Sequence, residues 1–276
     1  MILPLFRFAP GCVLLLGLIF PQAIHADELP LQISTESRVN GRGEVTVFLT
    51  LKNTGDKPLF QIHPMFHFHH TDAVVPMIPK LEPQQSMTLE NNDHPAVMRA
   101  GRYPLVVMAH YKKDMDPLVF STVLHTDSFY YQEPVESVVD GRLESSIEPS
   151  GSFLNVLLRN NSQALKNVRL LLLLPPGVIA ESFKGMMGVT LQGGERKYFQ
   201  VPVIKAGESM SGSYPVHLLI EYGEKLKHYS GEIRGKIEFD PEWNSQMLAF
   251  HMAVIAVMCL GLYWAYRKKW KELLNT

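Results

Sequence analysis

The sequence predicts an all-β protein: two tandem immunoglobulin-like β-sandwiches plus one C-terminal transmembrane helix. Between residues 27 and 240, short runs of Val, Leu, Ile, Phe and Tyr alternate with polar residues and are separated by Gly, Pro, Asn and Asp. This pattern is typical of a sandwich of antiparallel strands. Strand and turn features recur in the second half of this region, and the stretch 246–266 carries no formal charge.

The first 26 residues predict a secretory signal peptide, 1–26. Arg7 precedes an apolar run from Cys12 to Phe20, Pro21 ends that run, and Ala26 supplies a small residue at the expected cleavage site. Such a run is too short to span a bilayer and has the three parts of a signal peptide. The following residues are therefore expected to be exported.

An internal duplication divides the region of strands. The alternating run that ends at Asn53 has a counterpart that ends at Asn160, 107 residues later. The motif Gly101-x-Tyr103-Pro104 returns as Gly212-x-Tyr214-Pro215. Features that repeat in order at nearly one spacing indicate a duplication. We expect one sandwich over 27–135 and a second over 136–240; the alternative is one larger sandwich.

The turn residues of the repeat resemble a known class of module. Leu51-Lys52-Asn53-Thr54-Gly55 and Leu158-Arg159-Asn160-Asn161-Ser162 look like the "L-x-N-x-G" pattern of CARDB-like and NEW3-like immunoglobulin-like modules. These modules belong to bacterial and archaeal adhesion and envelope proteins. The resemblance implies modules for spacing, protein contact or glycan contact, and it brings no catalytic residues.

The C-terminal stretch predicts a membrane anchor. Residues 246–266 are long enough, at ~1.5 Å per residue, to cross a ~30 Å hydrocarbon core. Four basic residues, Arg267, Lys268, Lys269 and Lys271, follow directly. By the positive-inside rule, 267–276 becomes a cytoplasmic tail. The expected localisation is the inner (cell) membrane, single-pass type I, with a periplasmic or extracellular ectodomain.

A ladder of histidine and methionine predicts a metal site. The alternating residues of one strand face are His63, Met65, His67 and His69, with Phe60, Ile62, Phe66 and Phe68 on the other face. Imidazole with thioether suits copper, and imidazole alone suits zinc. Neighbours on one face are ~7 Å apart, so a ligand from an adjacent strand is needed; Met108 and His110 share a face of a candidate strand. The alternatives are a half-exposed polar face, or packing against the second sandwich or a partner.

A run of five leucines, 170–174, has no polar alternation. Such a strand is either covered on both faces or exposes one face as an interaction patch.

Charge and motifs exclude several function classes. Lys and Arg total 26 against 27 Asp and Glu, which excludes a nucleic-acid partner. Residues 27–240 contain no cysteine, and no catalytic motif is present, so a non-enzyme is expected. We expect a membrane-anchored periplasmic accessory or scaffold protein that contacts other envelope or inner-membrane proteins in an export or polysaccharide system. The alternatives are copper or zinc handling through the His/Met strand, and glycan binding through Tyr130, Tyr131 or Trp243; no other cofactor is expected.

Overall fold

The structure, a computed structural model, confirms an all-β, sandwich-like architecture. It describes residues 29–68, 71–115, 120–148, 151–183, 185–206, 212–239 and 245–274, and the predicted signal peptide lies outside them. The elements are β1 Leu31–Val39, β2 Val45–Asn53, β3 Leu59–Phe68, β4 Thr71–Val74, β5 Ile78–Leu81, β6 Ser86–Asn91, β7 Gly101–Lys112, β8 Ser121–Tyr131, β9 Val139–Glu148, β10 Gly151–Asn160, β11 Lys166–Leu173, β12 Val178–Ile179, β13 Met186–Leu191, β14 Arg196–Lys205, β15 Gly212–Glu224, β16 Lys227–Phe239 and α1 Ser245–Leu274.

The N-terminal sandwich comprises β1 to β8. The sheet β1-β2-β6 lies against a second sheet in which β3 pairs with β4, β5 and β7, and β7 pairs with β8. Apolar residues at every second position point between the sheets, among them Leu49, Leu51, Phe66 and Phe68, none more than 1% exposed. Burial of these side chains supplies the main stabilising term of the sandwich.

The C-terminal sandwich comprises β9 to β16 and repeats this plan. The sheet β12-β14-β10-β9 lies against β13-β11-β15-β16. Its core includes Leu154, Val156 and Leu158 from β10 and Leu218 and Ile220 from β15, all fully buried. The predicted division at 135/136 stays a prediction, but the two hydrophobic cores follow one another along the chain.

The two sandwiches contact each other through the outer faces of β7 and β15. Val106 is 2% exposed and Leu219 is 3% exposed, yet neither belongs to a sandwich core. The strands β7 and β16 also meet in a single parallel bridge between Gly101 and His228. We call this contact the sandwich interface.

One buried asparagine in each sandwich forms hydrogen bonds that connect strand ends to turns. The amide of Asn53 donates to the carbonyls of Lys57 and Leu81, and its side-chain oxygen accepts from the Gly55 N–H. In the same way, the amide of Asn160 donates to the carbonyls of Ala164 and Gln192, and its side-chain oxygen accepts from the Ser162 N–H. Both asparagines are 0% exposed. The repeated asparagine therefore satisfies buried backbone groups at a turn that strand pairing leaves open.

The C-terminal helix corrects the prediction of a membrane anchor. α1 runs without interruption from Ser245 through the basic positions 267–271 to Leu274, so the uncharged stretch and the charged stretch form one helix. Among the residues that the structure describes, no helix has both the length and the apolar character needed to cross a membrane. The predicted transmembrane helix at 246–266 is therefore wrong, and so is the predicted localisation as a single-pass type I inner-membrane protein with a cytoplasmic tail at 267–276.

Candidate functional site

The histidines and methionine of β3 occupy its outer face. His63, Met65 and His67 are half-buried, and they alternate with the buried residues Ile62, Pro64, Phe66 and Phe68. His69 lies outside the described residues.

A bulge changes the expected orientation of Phe60. Gln61 has a φ of 47°, and the pairing of β3 with β7 shifts between Phe60 and His63. A bulge adds one residue, so the alternation reverses at that point. Leu59 therefore enters the core, whereas Phe60, predicted on the core face, is half-buried with the Lys80 ammonium 5.8 Å from its ring centroid.

The strand β7 supplies cross-strand partners for this face. His110 lies directly opposite His63, and Met108 lies directly opposite Met65. Directly opposed residues in an antiparallel pair have Cβ atoms ~4.5–5.5 Å apart. The structure thus brings two imidazoles and two thioethers together in adjacent rungs of one sheet face; we call these four residues the His/Met rungs.

His67 is engaged elsewhere. Its Nδ1 lies 2.8 Å from the Asp72 Oδ1 on β4, and it faces Val106 rather than a histidine or methionine across the sheet. Within the described residues, no group of three or more His, Cys, Asp and Glu side chains is placed to hold a metal ion. A metal site in this part of the chain would therefore depend on thioether ligands.

The second sandwich covers part of the rungs. Leu171 and Leu173 from β11 line a cavity of about 130 Å³ together with Met65, Met108 and Val106. Leu170 points into the core of the C-terminal sandwich and is 0% exposed. The leucine run is thus buried against the core on one face, and on the other face Leu171 and Leu173 are half-buried against the N-terminal sandwich, which agrees with the first of its two sequence interpretations.

A carboxylate forms one polar part of the sandwich interface. The Glu232 Oε1 accepts a hydrogen bond from the Thr126 hydroxyl at 2.7 Å and lies 2.6 Å from the His217 Nδ1, and Arg234 donates to the Glu232 Oε2 at 2.9 Å. Burial raises the pKa of Glu232, but the hydrogen bonds from His217, Arg234 and Thr126 outweigh this effect and lower the pKa to about 2. Glu232 therefore stays ionised and connects the two sandwiches.

A second polar group lies where β7 meets β16. The His228 ring stacks on Tyr103 with centroids 4.1 Å apart, and its Nδ1 lies 2.6 Å from the Arg102 carbonyl oxygen. Its Nε2 lies 3.2 Å from the Glu221 Oε2. This side chain lines a crevice of about 560 Å³ whose walls come from both sandwiches.

The outer face of the sheet β12-β14-β10-β9 exposes an apolar strip that the polar pair Asn155 and Gln200 interrupts; we call this strip the Tyr198 face. Tyr198, Ile204 and Ile179 are 59%, 51% and 47% exposed. The register places the remaining members beside them. The members of the Tyr198 face are Phe153, Leu157, Ile179, Tyr198, Pro202 and Ile204.

The corresponding face of the N-terminal sandwich is polar. Where Leu157 pairs with Tyr198 on β10 and β14, Thr50 pairs with Thr88 on β2 and β6, and the two hydroxyls hydrogen-bond at 2.9 Å. The aromatic residue on this face, Phe48, lies under the Arg38 guanidinium at 4.7 Å. The two copies of one fold thus differ in the polarity of this surface.

Sequence reasoning missed the Tyr198 face because its apolar residues come from three strands. Within β14 the alternation of Tyr198, Gln200, Pro202 and Ile204 with core residues looks like an ordinary strand. Aligning the two repeats would have revealed the exchange of Thr50 and Thr88 for Leu157 and Tyr198.

The aromatic residues considered for glycan binding are not arranged as a platform. Tyr131 is only 8% exposed. The Tyr130 hydroxyl donates to the Glu136 carboxylate at 2.6 Å, and its ring lies 5.9 Å from the Arg102 guanidinium carbon. Trp243 lies outside the described residues.

Comparisons with known proteins give little further information. No protein-family profile and no curated protein matches the sequence. Three solved structures illustrate the similarities: trypsin-activated α2-macroglobulin from Escherichia coli (14% identity, 74% of this chain and 18% of that one, TM-score 0.24), red sea bream transglutaminase (12%, 75% and 31%, 0.28) and the YadV chaperone (10%, 76% and 100%, 0.25). The chain thus spans less than a third of the first two proteins. TM-scores this low support no inference about function, and the resemblance to CARDB-like and NEW3-like modules stays a prediction.

Proposed function

We propose that the chain is a non-enzymatic accessory protein that binds another protein through the Tyr198 face. The single observation that supports this proposal is the contrast between the two copies of the fold. One copy keeps a polar outer face, while the other exposes Tyr198, Ile204 and Ile179 to about half their area. Several large apolar side chains exposed on one face of a stable fold are typical of contact sites. The membrane anchor of the original expectation forms no part of this proposal.

The hydrogen bonds around Tyr198 favour a protein over a glycan. The Tyr198 hydroxyl and the Gln200 amide both donate to the Asn155 Oδ1, and the Asn155 amide donates to the Ser146 hydroxyl. These polar groups satisfy one another, so few remain to bind sugar hydroxyls. The apolar strip gains most from a partner that also buries apolar surface.

The edge of β14 offers a second element of recognition. β12 pairs with β14 only at Ile204 and Lys205. In the part of the chain that the structure describes, no strand pairs with that edge from Arg196 to Val203. A partner segment in extended conformation could therefore pair with this edge while its side chains contact the Tyr198 face.

A pair of matched positions tests the proposal. A photo-cross-linking amino acid is placed at Tyr198 or, as the control, at Thr88, which occupies the equivalent place in the N-terminal sandwich. We expect irradiation of cells that produce the full chain to give one discrete protein adduct from position 198 and none from position 88. The double variant Tyr198→Thr with Leu157→Thr, which copies the pair Thr50 and Thr88, should lose that partner in co-purification by at least tenfold.

Circular dichroism of the double variant must first match that of the wild type. Equal adducts from both positions, or retention of the partner by a folded double variant, would contradict the proposal. An adduct that protease does not degrade and that glycan-cleaving enzymes remove would indicate glycan binding instead of protein binding.

A further inference from the structure

We propose that the His/Met rungs, His63, Met65, Met108 and His110, form a copper(I) site on the outer face of the N-terminal sandwich. The cross-strand register carries this inference, because it places histidine opposite histidine and methionine opposite methionine in neighbouring rungs. The sequence prediction had His63, Met65, His67 and His69 as ligands; this site keeps the first two and replaces the last two by Met108 and His110. It is also independent of the Tyr198 face, which lies on the other sandwich.

The spacing within the rungs meets the need for ligands from two strands. Residues two apart on one strand are ~7 Å apart, so two side chains of one strand do not form a compact metal site without a ligand from an adjacent strand. The cross-strand partners reduce the separation to ~5 Å between Cβ atoms, and methionine side chains are long and flexible enough to bridge to the adjacent rung when a metal binds. The register thus places four soft or borderline donors on one face of the β3–β7 pair, in two neighbouring rungs.

The donor set selects the metal. Thioether sulfur is a soft ligand that favours copper(I), and imidazole binds copper readily. Zinc sites are built from thiolate, imidazole and carboxylate ligands, usually four in a structural site and three in a catalytic one. Within the described residues, no three His, Cys, Asp or Glu side chains are grouped so that they could hold a metal ion, which disfavours zinc at the rungs.

The surroundings hold one ligand in a suitable orientation. The His110 Nδ1 lies 2.7 Å from the Thr122 hydroxyl on β8. A hydrogen bond at Nδ1 leaves Nε2 free and fixes the ring, as is common for histidine ligands. The His63 ring makes an edge contact with Phe120 at 6.4 Å between centroids.

One cation and one anion flank the rungs, and the surface beside the methionine rung is mostly apolar. The Lys112 ammonium lies 4.6 Å from the Phe120 ring centroid beyond one end of the rungs, and Asp72 pairs with His67 at the other end. Leu171 and Leu173 cover the methionine rung from the second sandwich. A weakly charged, partly dry site suits a monovalent ion better than a divalent one, because less charge is removed from water.

Anaerobic titration of the full chain with copper(I) against a chromogenic copper(I) chelator tests the proposal, with zinc(II) as the comparison ion. We expect binding of one copper(I) per chain. Each of Met65→Leu, Met108→Leu and His110→Asn should weaken that binding by at least tenfold. Exchange of methionine for leucine nearly conserves volume, so these variants should stay folded.

Two control variants define the site. Met98→Leu changes a methionine that is 83% exposed and remote from the rungs, and His67→Gln changes the histidine paired with Asp72. Both should bind copper(I) like the wild type. Retention of copper(I) by the double variant Met65→Leu with Met108→Leu, equal losses in the Met98→Leu control, or a preference for zinc(II) would each overturn the proposal.

Discussion

Asn53 and Asn160 show how one polar side chain stabilises each copy of the fold. Each amide is fully buried and is hydrogen-bonded to carbonyls of a neighbouring turn and strand end. A buried carbonyl that loses its hydrogen-bond donor destabilises the fold by more than the net contribution of that hydrogen bond. The reason is that water cannot reach the buried carbonyl to replace the donor. The repeated "L-x-N" motif therefore has a structural explanation that requires no ligand.

Replacement of the buried asparagine should destabilise the protein strongly. We expect Asn160→Ala to lower the free energy of unfolding by about 2–3 kcal/mol, since it leaves buried carbonyls without donors. Urea denaturation measures the loss. The neighbouring Asn161→Ala is the control, because Asn161 is exposed and its amide contacts Asp140 at 2.9 Å; a loss in Asn160→Ala no larger than in this control would contradict the explanation.

At the scale of single elements, alternation in the sequence predicted strands but not their irregularities. The core face of β3 followed from period two at Ile62, Phe66 and Phe68. The outward orientation of Phe60 was not predicted, because the bulge at Gln61 reverses the alternation. The pattern of apolar and polar residues does not indicate such an inserted residue. The pairing of His63 with His110 likewise depends on register, which is set by contacts distant in sequence.

The junction of β7 and β16 depends on a glycine. Gly101 has a φ of +143°, and a Cβ at this position would lie 1.9 Å from the His228 carbonyl oxygen. That carbonyl cannot retreat easily, because the His228 N–H is bound to the Ala100 carbonyl at 2.8 Å. A side chain here would thus separate the two strands.

Gly101→Ala should therefore cost more than backbone strain alone. Gly151 is a matched control: its φ is +138° and a Cβ there would meet nothing within 4 Å. We expect Gly151→Ala to cost about 1–3 kcal/mol from its conformation, and Gly101→Ala to cost a further ~1–3 kcal/mol from the clash. Thermal and urea unfolding of both variants measures the difference; equal losses would show that β7 and β16 do not approach this closely.

For the whole molecule, contact between the two sandwiches was only one of several explanations that the sequence allowed for its unusual strands. The leucine run and the His/Met strand each suggested a covered face, but neither identified what covers it. Val106 and Leu219 are buried between the sandwiches because two outer faces with matching apolar residues meet. Such a meeting depends on the relative placement of two sheets, which a pattern within one strand does not encode.

The interface also gives the protein a specific acid sensitivity. The pKa of Glu232 is about 2, below its ordinary value of 4.5. Its interactions thus contribute stability that is complete above pH 4.5 and is lost as the pH falls through 2. Its side chain is only 18% exposed, so solvent screens it weakly, and the contribution is on the order of 3 kcal/mol.

Glu232→Gln should remove this part of the pH dependence. We expect the loss of unfolding free energy between pH 4.5 and 2 to be smaller in the variant than in the wild type by on the order of 3 kcal/mol. Urea unfolding at a series of pH values measures both curves. Glu144→Gln, at an exposed position of β9, is the control and should leave the acid limb unchanged; parallel curves for Glu232→Gln and wild type would rule out the proposed role of Glu232.

The order in which the two outer faces are synthesised has a consequence for biogenesis. The N-terminal sandwich is complete at Tyr131, whereas its cover, from Leu171 to Glu232, emerges later from the ribosome. At ~5–20 residues per second, the roughly 100 residues in between take on the order of 5–20 s to translate. Throughout this interval Val106, Met65 and Met108 face water on a half-made chain. We therefore expect the nascent chain to be prone to aggregation in this interval, when its first half has been made and this apolar outer face is still uncovered.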